Sequence, residues 1–381
     1  DVLICRTRIP ISVEMKNKIS LFCDVGPEAV IDAPDTDTIY EVPLNFEKAG
    51  LAELVVKRLG LPERDPDLEE WRTIVERIRQ PRLEVEIAVI GKYIQNGDAY
   101  ISIAEALKHG GIANDAHVNI RWLDSEELEA LPAEKLLDGV DAVVVAGGFG
   151  GRGVEGKISA VRYARETNTP YLGLCYGMQM AVIEYARNVL GLKDAHTEEV
   201  CPDTPHPLIH ILPEQKSVKN KGATMRLGAF RCQLVAGSLA EKLYGAPVVS
   251  ERHRHRYELN NEYREKLAKH GMLCSGLSPD YRLAEIVEIP GHPFFIATQF
   301  HPEFQSRPNR AHPLFSGLVA AAVKSGARDY VAAPATPEGR NGGERGADES
   351  GPAAQEPHER GRSRRNGRGN LQLEDTGALE L

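Results

Sequence analysis

A cysteine set among glycines, and a histidine two residues before a glutamate, are the parts of this sequence best suited to covalent chemistry. The first is Gly173-Leu174-Cys175-Tyr176-Gly177-Met178-Gln179, where an apolar stretch from Pro170 to Leu174 meets a helical pattern from Met178 to Val189. The second is His301-Pro302-Glu303, at the end of the apolar stretch from Phe294 to Phe300. A sharp strand-to-helix turn holds a side chain up toward substrate, and the flanking glycines relieve crowding there. The following helix N-terminus and a neighbouring histidine both favour the thiolate. Cys175 is therefore the predicted nucleophile, His301 the proton carrier and Glu303 the group that orients its imidazole. Cys5, Cys23, Cys201, Cys232 and Cys274 lack such surroundings and read as structural thiols.

Two further patterns could serve the same chemistry. Gly147-Gly148-Phe149-Gly150-Gly151-Arg152-Gly153 follows the apolar stretch Ala142 to Ala146. It lacks the Gly-x-x-x-x-Gly-Lys-Ser/Thr spacing of a phosphate cradle, so an oxyanion hole fits it better. One N–H would come from Gly148 and one from Tyr176, the residue after the nucleophile. A flexible glycine loop is the plain alternative. Glu251-Arg252-His253-Arg254-His255-Arg256-Tyr257-Glu258 alternates so that, on a strand, the three arginines share a face. That face could clamp a carboxylate or a phosphate, or be a solvated edge strand.

The elements that must position these residues follow from hydrophobic periodicity. From Val85, strands and amphipathic helices alternate: strand Val85 to Ile90, helix Ala99 to His109, strand Val118 to Trp122, strand Ala142 to Ala146, helix Ile158 to Glu166, then the strand-Cys-helix unit. This is the pattern of an α/β fold with a doubly wound, mostly parallel sheet, whose sites lie beyond the carboxyl ends of the strands. Shorter strands near Pro207 to Ile211, Thr224 to Leu227 and Leu283 to Ile289, then a helix from Leu314 to Val323, complete it. The expected organisation is a small N-terminal piece over 1–60, a linker with one helix over 61–83, the main domain over 84–329, and a Gly/Arg/Glu-rich disordered tail over 330–381. The chain opens without Met on what reads as a strand under way, so preceding residues are expected to be missing.

Composition narrows the function. The 381 residues carry a net charge of −9, against the basic footprint of a nucleic-acid binder. No signal-peptide pattern or bilayer-length apolar run occurs, and six scattered cysteines argue for a reducing compartment, so a cytoplasmic location is expected. Neither Cys-x-x-Cys nor His-Glu-x-x-His is present, so no metal site is expected in this chain.

Taken together, the Gly-x-Cys-x-Gly-x-Gln elbow and His-Pro-Glu resemble the class I glutamine amidotransferases. The segments 147–156, Thr224-Met225-Arg226-Leu227-Gly228, the Arg-His-Arg-His-Arg run, Gly91-Lys92-Tyr93, 105–111 and 299–304 narrow the resemblance to the CTP synthase family, over residues 1 to about 326. That resemblance implies a glutamine-dependent ligase that aminates UTP to CTP with ATP and Mg2+, GTP as activator, CTP as feedback ligand and a homotetramer when complete. It implies glutamine contacts at Gly148, Tyr176, Gly177, Met178, Gln179, Glu199, Arg256 and Tyr257, and an effector lid at Arg152, Gly153 and Glu155. Lys18 would touch the pyrimidine nucleotide and Pro34, Asp35 and Thr36 the adenine pocket, at the end of a P-loop-type synthetase domain whose P-loop and metal ligands would lie upstream. Ala146, Tyr176 and Ala223 stand where the family commonly has Pro, Leu and Gly. Another amidotransferase of the class, such as GMP synthase, and a non-catalytic assembly or nucleotide-sensing module are the alternatives.

Overall fold

A computed structural model describes residues 1–211 and 225–331; Ala223 and nearly all of the expected tail lie outside them. The strand β3 (Leu83–Gly91) shows why the main sheet is layered on both faces. Every residue from Ile87 to Gly91 is buried; Ile87 and Val89 join one core cluster, Ala88 and Ile90 the other. A strand buried on both sides must be covered by helices on both.

Ahead of it come β1 (Leu3–Thr7), α1 (Val13–Cys23), β2 (Val30–Pro34), α2 (Val42–Lys48), α3 (Leu51–Arg58) and α4 (Glu69–Arg79). After it come α5 (Ile101–Asn114), β4 (Ala116–Asp124), the short α6 (Glu127–Ala130) and α7 (Ala133–Leu136), β5 (Ala142–Val145), α8 (Val154–Thr167), β6 (Tyr171–Leu174) and α9 (Tyr176–Asn188). The remaining strands are β7 (Ala195–Thr197), β8 (His206–Ile211), β9 (Arg226–Leu234), β10 (Val248–His255), β11 (Tyr257–Leu259), β12 (Leu273–Leu277), β13 (Ala284–Glu288), β14 (Phe295–Thr298) and β15 (Arg328–Asp329). Helices α10 (Leu239–Tyr244), α11 (Arg264–Lys269) and α12 (Pro313–Gly326) lie among them.

Strands β4, β3, β5, β6 and β14 pair in parallel in that order, and β13, β12, β9 and β10 extend the sheet antiparallel from β14. Residues of α8 and α9 share one core cluster with one face of the sheet, and residues of α5 and α12 share the other. The sheet is the expected mixed α/β arrangement, with a larger antiparallel wing than the short strands near Thr224 and Leu283 imply. β7, β8 and β11 make a separate three-stranded sheet.

The first 60 residues are built differently. β1 and β2 form a two-stranded parallel sheet, and no residue of α1 is buried. The expected linker is firmly attached: α4 buries Ile74 and Val75, and the Trp71 indole donates to the Tyr40 carbonyl at 2.6 Å. At the other end, Tyr330, just past the expected domain limit, donates its N–H to the Arg82 carbonyl at 3.0 Å.

Candidate functional site

The adjacent strands β5, β6 and β14 end side by side, and each delivers one part of the site. β5 runs into the glycine loop, β6 into Cys175, and β14 into Gln299, Phe300 and His301. Cys175 sits at φ 51°, ψ −99°, left-handed backbone that a non-glycine residue adopts at a cost and that is found where geometry serves chemistry. Its N–H donates to the Thr298 carbonyl at 2.7 Å, and its own carbonyl accepts from Met178 at 3.1 Å. The glycines beside it are required by close approach. A Cβ on Gly177 would lie 2.2 Å from the Val145 carbonyl oxygen, and one on Gly173 would lie 2.8 Å from the Ala297 Cβ.

His301 stands beside Cys175, both next to Gly147, and its Nδ1 lies 2.7 Å from Glu303 Oε1. Burial alone would pull the imidazole down, but the adjacent Cys175 and Glu303 outweigh it and hold it up at about 11. The arrangement therefore favours an imidazolium, with Glu303 fixing the ring. Glu303 is buried in a single 3-10 turn (Pro302–Gln305), and the His301 N–H is anchored on the Arg252 carbonyl at 2.8 Å. The three residues read from the sequence as a set are brought together.

A cavity of about 260 Å3 opens over the thiol, lined by Gly148, Tyr176, Gln179, Glu199, Arg256 and Tyr257 among others. Two predicted contacts fall elsewhere: Met178 is fully buried in the core, and Gly177 faces the Val145 backbone. Burial raises the Glu199 carboxyl, while the Gly150 N–H at 2.9 Å, Lys92 and Arg256 draw it back. The predicted lid residues flank the loop. Arg152 donates to the Lys92 carbonyl at 2.8 Å and to Glu126 at 3.0 Å; Gly153 has φ 71°; Glu155 accepts from Arg187 at 2.8 Å. Ala146 is fully buried, and the Tyr176 hydroxyl donates to the Gly150 carbonyl at 3.0 Å.

Several participants were not picked out from the sequence. The Gln299 amide reaches Cys175 Sγ at 3.7 Å, and its Oε1 accepts from Gln179 at 3.3 Å. Lys92 and Lys157 donate to the carbonyls of the glycine loop. The arginine run also resolves in an unexpected way. Arg252 and Arg254 share the exposed face of the edge strand β10, Arg254 also reaching the cavity wall, and Arg256, past the strand's end, lines the same cavity. The intervening His253 and His255 point inward, 2.8 Å apart, beside Arg226, Glu258 and Glu285. Alternation marked the two faces, but nothing in the local sequence said which one is buried.

The predicted nucleotide residues do not form a comparable site. Pro34, Asp35 and Thr36 line an open groove of about 660 Å3 against Ile4, Arg6 and Phe46. Lys18 is exposed on α1 and does not line that groove.

Comparisons with known proteins give the family. The model of the class I glutamine amidotransferases matches residues 97–321, and that of the CTP synthase N-terminus matches residues 1–61. The chain belongs to the class I glutamine amidotransferases. Within that class it falls in the CTP synthase family. It is 56% identical over 325 residues to a CTP synthase of Carboxydothermus hydrogenoformans, covering 85% of this chain and 61% of the relative. It is 57% identical over 329 residues to one from Methanocaldococcus jannaschii, covering 85% and 61%. The chain thus spans about three fifths of the length of these relatives. Among solved structures, the Trypanosoma brucei CTP synthase glutaminase domain with bound acivicin is 43% identical with a TM-score of 0.60, covering 65% of this chain and 96% of that one.

Proposed function

We propose that this chain hydrolyses the side-chain amide of L-glutamine at Cys175 and is the glutaminase part of a CTP synthase. The observation that carries the reading is Cys175 on a left-handed elbow beside His301, itself held by Glu303 at 2.7 Å. The thiolate attacks the amide carbon, and the oxygen that becomes negative is met by the N–H groups of Gly148 and Tyr176. As the C–N bond breaks, the His301 imidazolium gives its proton to the departing nitrogen and ammonia leaves. A γ-glutamyl thioester remains on Cys175. Water then attacks it, giving a proton to the neutral imidazole, and glutamate departs with return of the thiolate. Glu199 is suited to the substrate ammonium and Arg256 to its carboxylate, as charge-assisted partners at the wall of the same cavity. Gln179 and Tyr257 complete that wall, and Gly177 and Met178 act through the backbone of the elbow.

The family membership extends the proposal to the whole enzyme: ammonia passes to a synthetase site where ATP activates UTP for amination to CTP. Residues 1–60 are the end of that synthetase domain, 61–83 the connection, 84–329 the amidotransferase domain and 330–381 the tail. Pro34, Asp35 and Thr36 supply the rim of a nucleotide site and Lys18 approaches the pyrimidine. Arg152, Gly153 and Glu155 form a lid responsive to GTP, CTP acts as feedback ligand, and the complete enzyme is a cytoplasmic homotetramer. Mg2+ finds no ligand set in this part: among the described residues no group of three His, Cys, Asp or Glu side chains could hold a metal. Among the described residues, no helix is long and apolar enough to cross a membrane.

The test is hydrolysis by the purified chain. Ammonia and glutamate should appear from glutamine in equal amounts, with none from asparagine. Absence of glutamine hydrolysis by folded protein would remove the proposal.

A further inference from the structure

Lys157 has its side chain fully buried one turn into α8, and among the described residues no carboxylate pairs with it. Its Nζ donates instead to two consecutive carbonyls, Ala146 at 2.7 Å and Gly147 at 3.2 Å, and lies 5.3 Å above the Tyr176 ring. Taking an ammonium out of water without a carboxylate in contact is costly, and an apolar side chain would fill this helix position without that cost. Burial, reinforced by Lys92 and only partly offset by the charges of Cys175 and Asp124, lowers the ammonium to about 7. Groups perturbed in this way concentrate at functional sites.

The placement has a geometric consequence. The Gly147 carbonyl belongs to the same peptide as the Gly148 N–H, and no peptide in the described chain is cis. In a trans peptide the C=O and N–H point in opposite directions. A carbonyl drawn onto Lys157, which is not part of the cavity wall, turns the Gly148 N–H the other way. Gly148 itself lines the cavity with Cys175, and a Cβ on Gly147 would stand 3.2 Å from the His301 ring. The next part of the loop is secured separately, by Lys92 on the Phe149 and Gly150 carbonyls and by the Tyr176 hydroxyl on Gly150.

We propose that Lys157 is a positioning residue of the oxyanion site, holding the Ala146 and Gly147 carbonyls so that the Gly148 N–H faces the carbon attacked by Cys175. The inference rests on the glutaminase reading and makes Lys157 specific to the step in which negative oxygen develops. Its test is Lys157→Met, which keeps length and removes the donors, measured on two reactions of the same thiol. Glutamine hydrolysis needs the oxyanion site. Alkylation by iodoacetamide does not, because the sulfur displaces iodide at a saturated carbon and no oxyanion forms. Loss of one oxyanion donor typically costs about 10²–10³ in kcat. A displaced donor should cost at least about tenfold in kcat, with KM within about twofold and Cys175 alkylation at the wild-type rate. Hydrolysis within twofold of wild type overturns the proposal, as does an equal fall in both reactions. If the wild-type chain alkylates at Cys175 yet hydrolyses no glutamine, the glutaminase reading has failed. Lys157 is then judged by hydrogen exchange at the Gly148 amide. Exchange at least tenfold faster in Lys157→Met supports the positioning role, and unchanged exchange rejects it.

Discussion

The amidotransferase part and the first 60 residues handle their predicted site residues in opposite ways. Cys175 and His301 leave the ends of β6 and β14, strands whose residues are all buried, and Glu303 follows in a turn packed against α5 and β10. Asp35 and Thr36 follow β2, one of only two strands in their sheet, and α1 beside it exposes Leu21 and Phe22 at 78% each. The Arg6–Asp35 ion pair is open to solvent on both sides. A nucleophile and base need placement within a fraction of an ångström, and a close-packed frame gives it. A groove rim on a thin frame can contribute binding surface, but it does not by itself assemble a reaction centre. Among the described residues, then, the predicted catalytic set forms an assembled site and the predicted nucleotide residues the rim of an open groove.

The largest expected effect is within the assembled site. Cys175→Ala should abolish glutamine hydrolysis, a loss of at least about 10⁴ in kcat, with the fold retained. His301→Ala should follow at about 10³–10⁴, and Glu303→Gln at a smaller loss, on the order of 10², because the glutamate orients the ring without exchanging its proton. Steady-state kinetics on the three variants checks the order. A Glu303→Gln enzyme at wild-type rate would break the triad.

Stability should be next. Arg226→Met leaves Glu258 and Glu285, both buried, without their 3.2 Å and 2.8 Å cation contacts. Removing one partner of such a pair costs about 3–5 kcal/mol, which denaturant titration should show.

Acid should weaken the same part of the molecule. Burial lowers His109 to about 4 and His253 to about 3, so both are neutral in the fold at neutral pH. Their contribution is present above the unfolded histidine value of about 6.5 and is lost as pH falls through the folded values. The melting temperature should drop steadily from pH 6.5 to pH 4; a flat profile would contradict the assignment.

The smallest effect belongs to the open groove. Asp35→Ala should change glutaminase rate and stability little, with stability within about 0.5 kcal/mol, since its ion pair is exposed. The isolated chain, given UTP, ATP and ammonium chloride, should form no CTP. Robust turnover there, or a large loss from Asp35→Ala, would erase the contrast between the two regions.

The parts legible in sequence were those encoded locally. The Cys175 elbow needs only an apolar stretch, two glycines and a helix, all within a dozen residues, and His301 and Glu303 are neighbours. The parallel core was legible because its strands are apolar throughout and separated by helical periods. Lys157 was not, since it lies ahead of the helix expected from Ile158, where a lysine reads as solvated, and only the folded loop brings the Ala146 and Gly147 carbonyls onto it. Gln299 was hidden for a similar reason: its contacts with Cys175 and Gln179 join β14 to β6 and α9 across the sheet. The antiparallel wing depends on pairings such as Val248 with Gln233 and Gly276 with Leu234, which no local pattern records. The arginine alternation marked the two faces of β10 at Arg252 and Arg254, but the strand ends at His255, so Arg256 does not continue that face and instead lines the cavity beside Arg254.

The most direct measurement of the central claim is the covalent state of Cys175 during turnover. The purified chain, mixed with glutamine and quenched in acid within its first turnovers, should carry one γ-glutamyl group, located by peptide mass spectrometry on Cys175 and lost on exposure to hydroxylamine. Ammonia release from glutamine with no such adduct, or with undiminished rate in Cys175→Ala, would contradict the account.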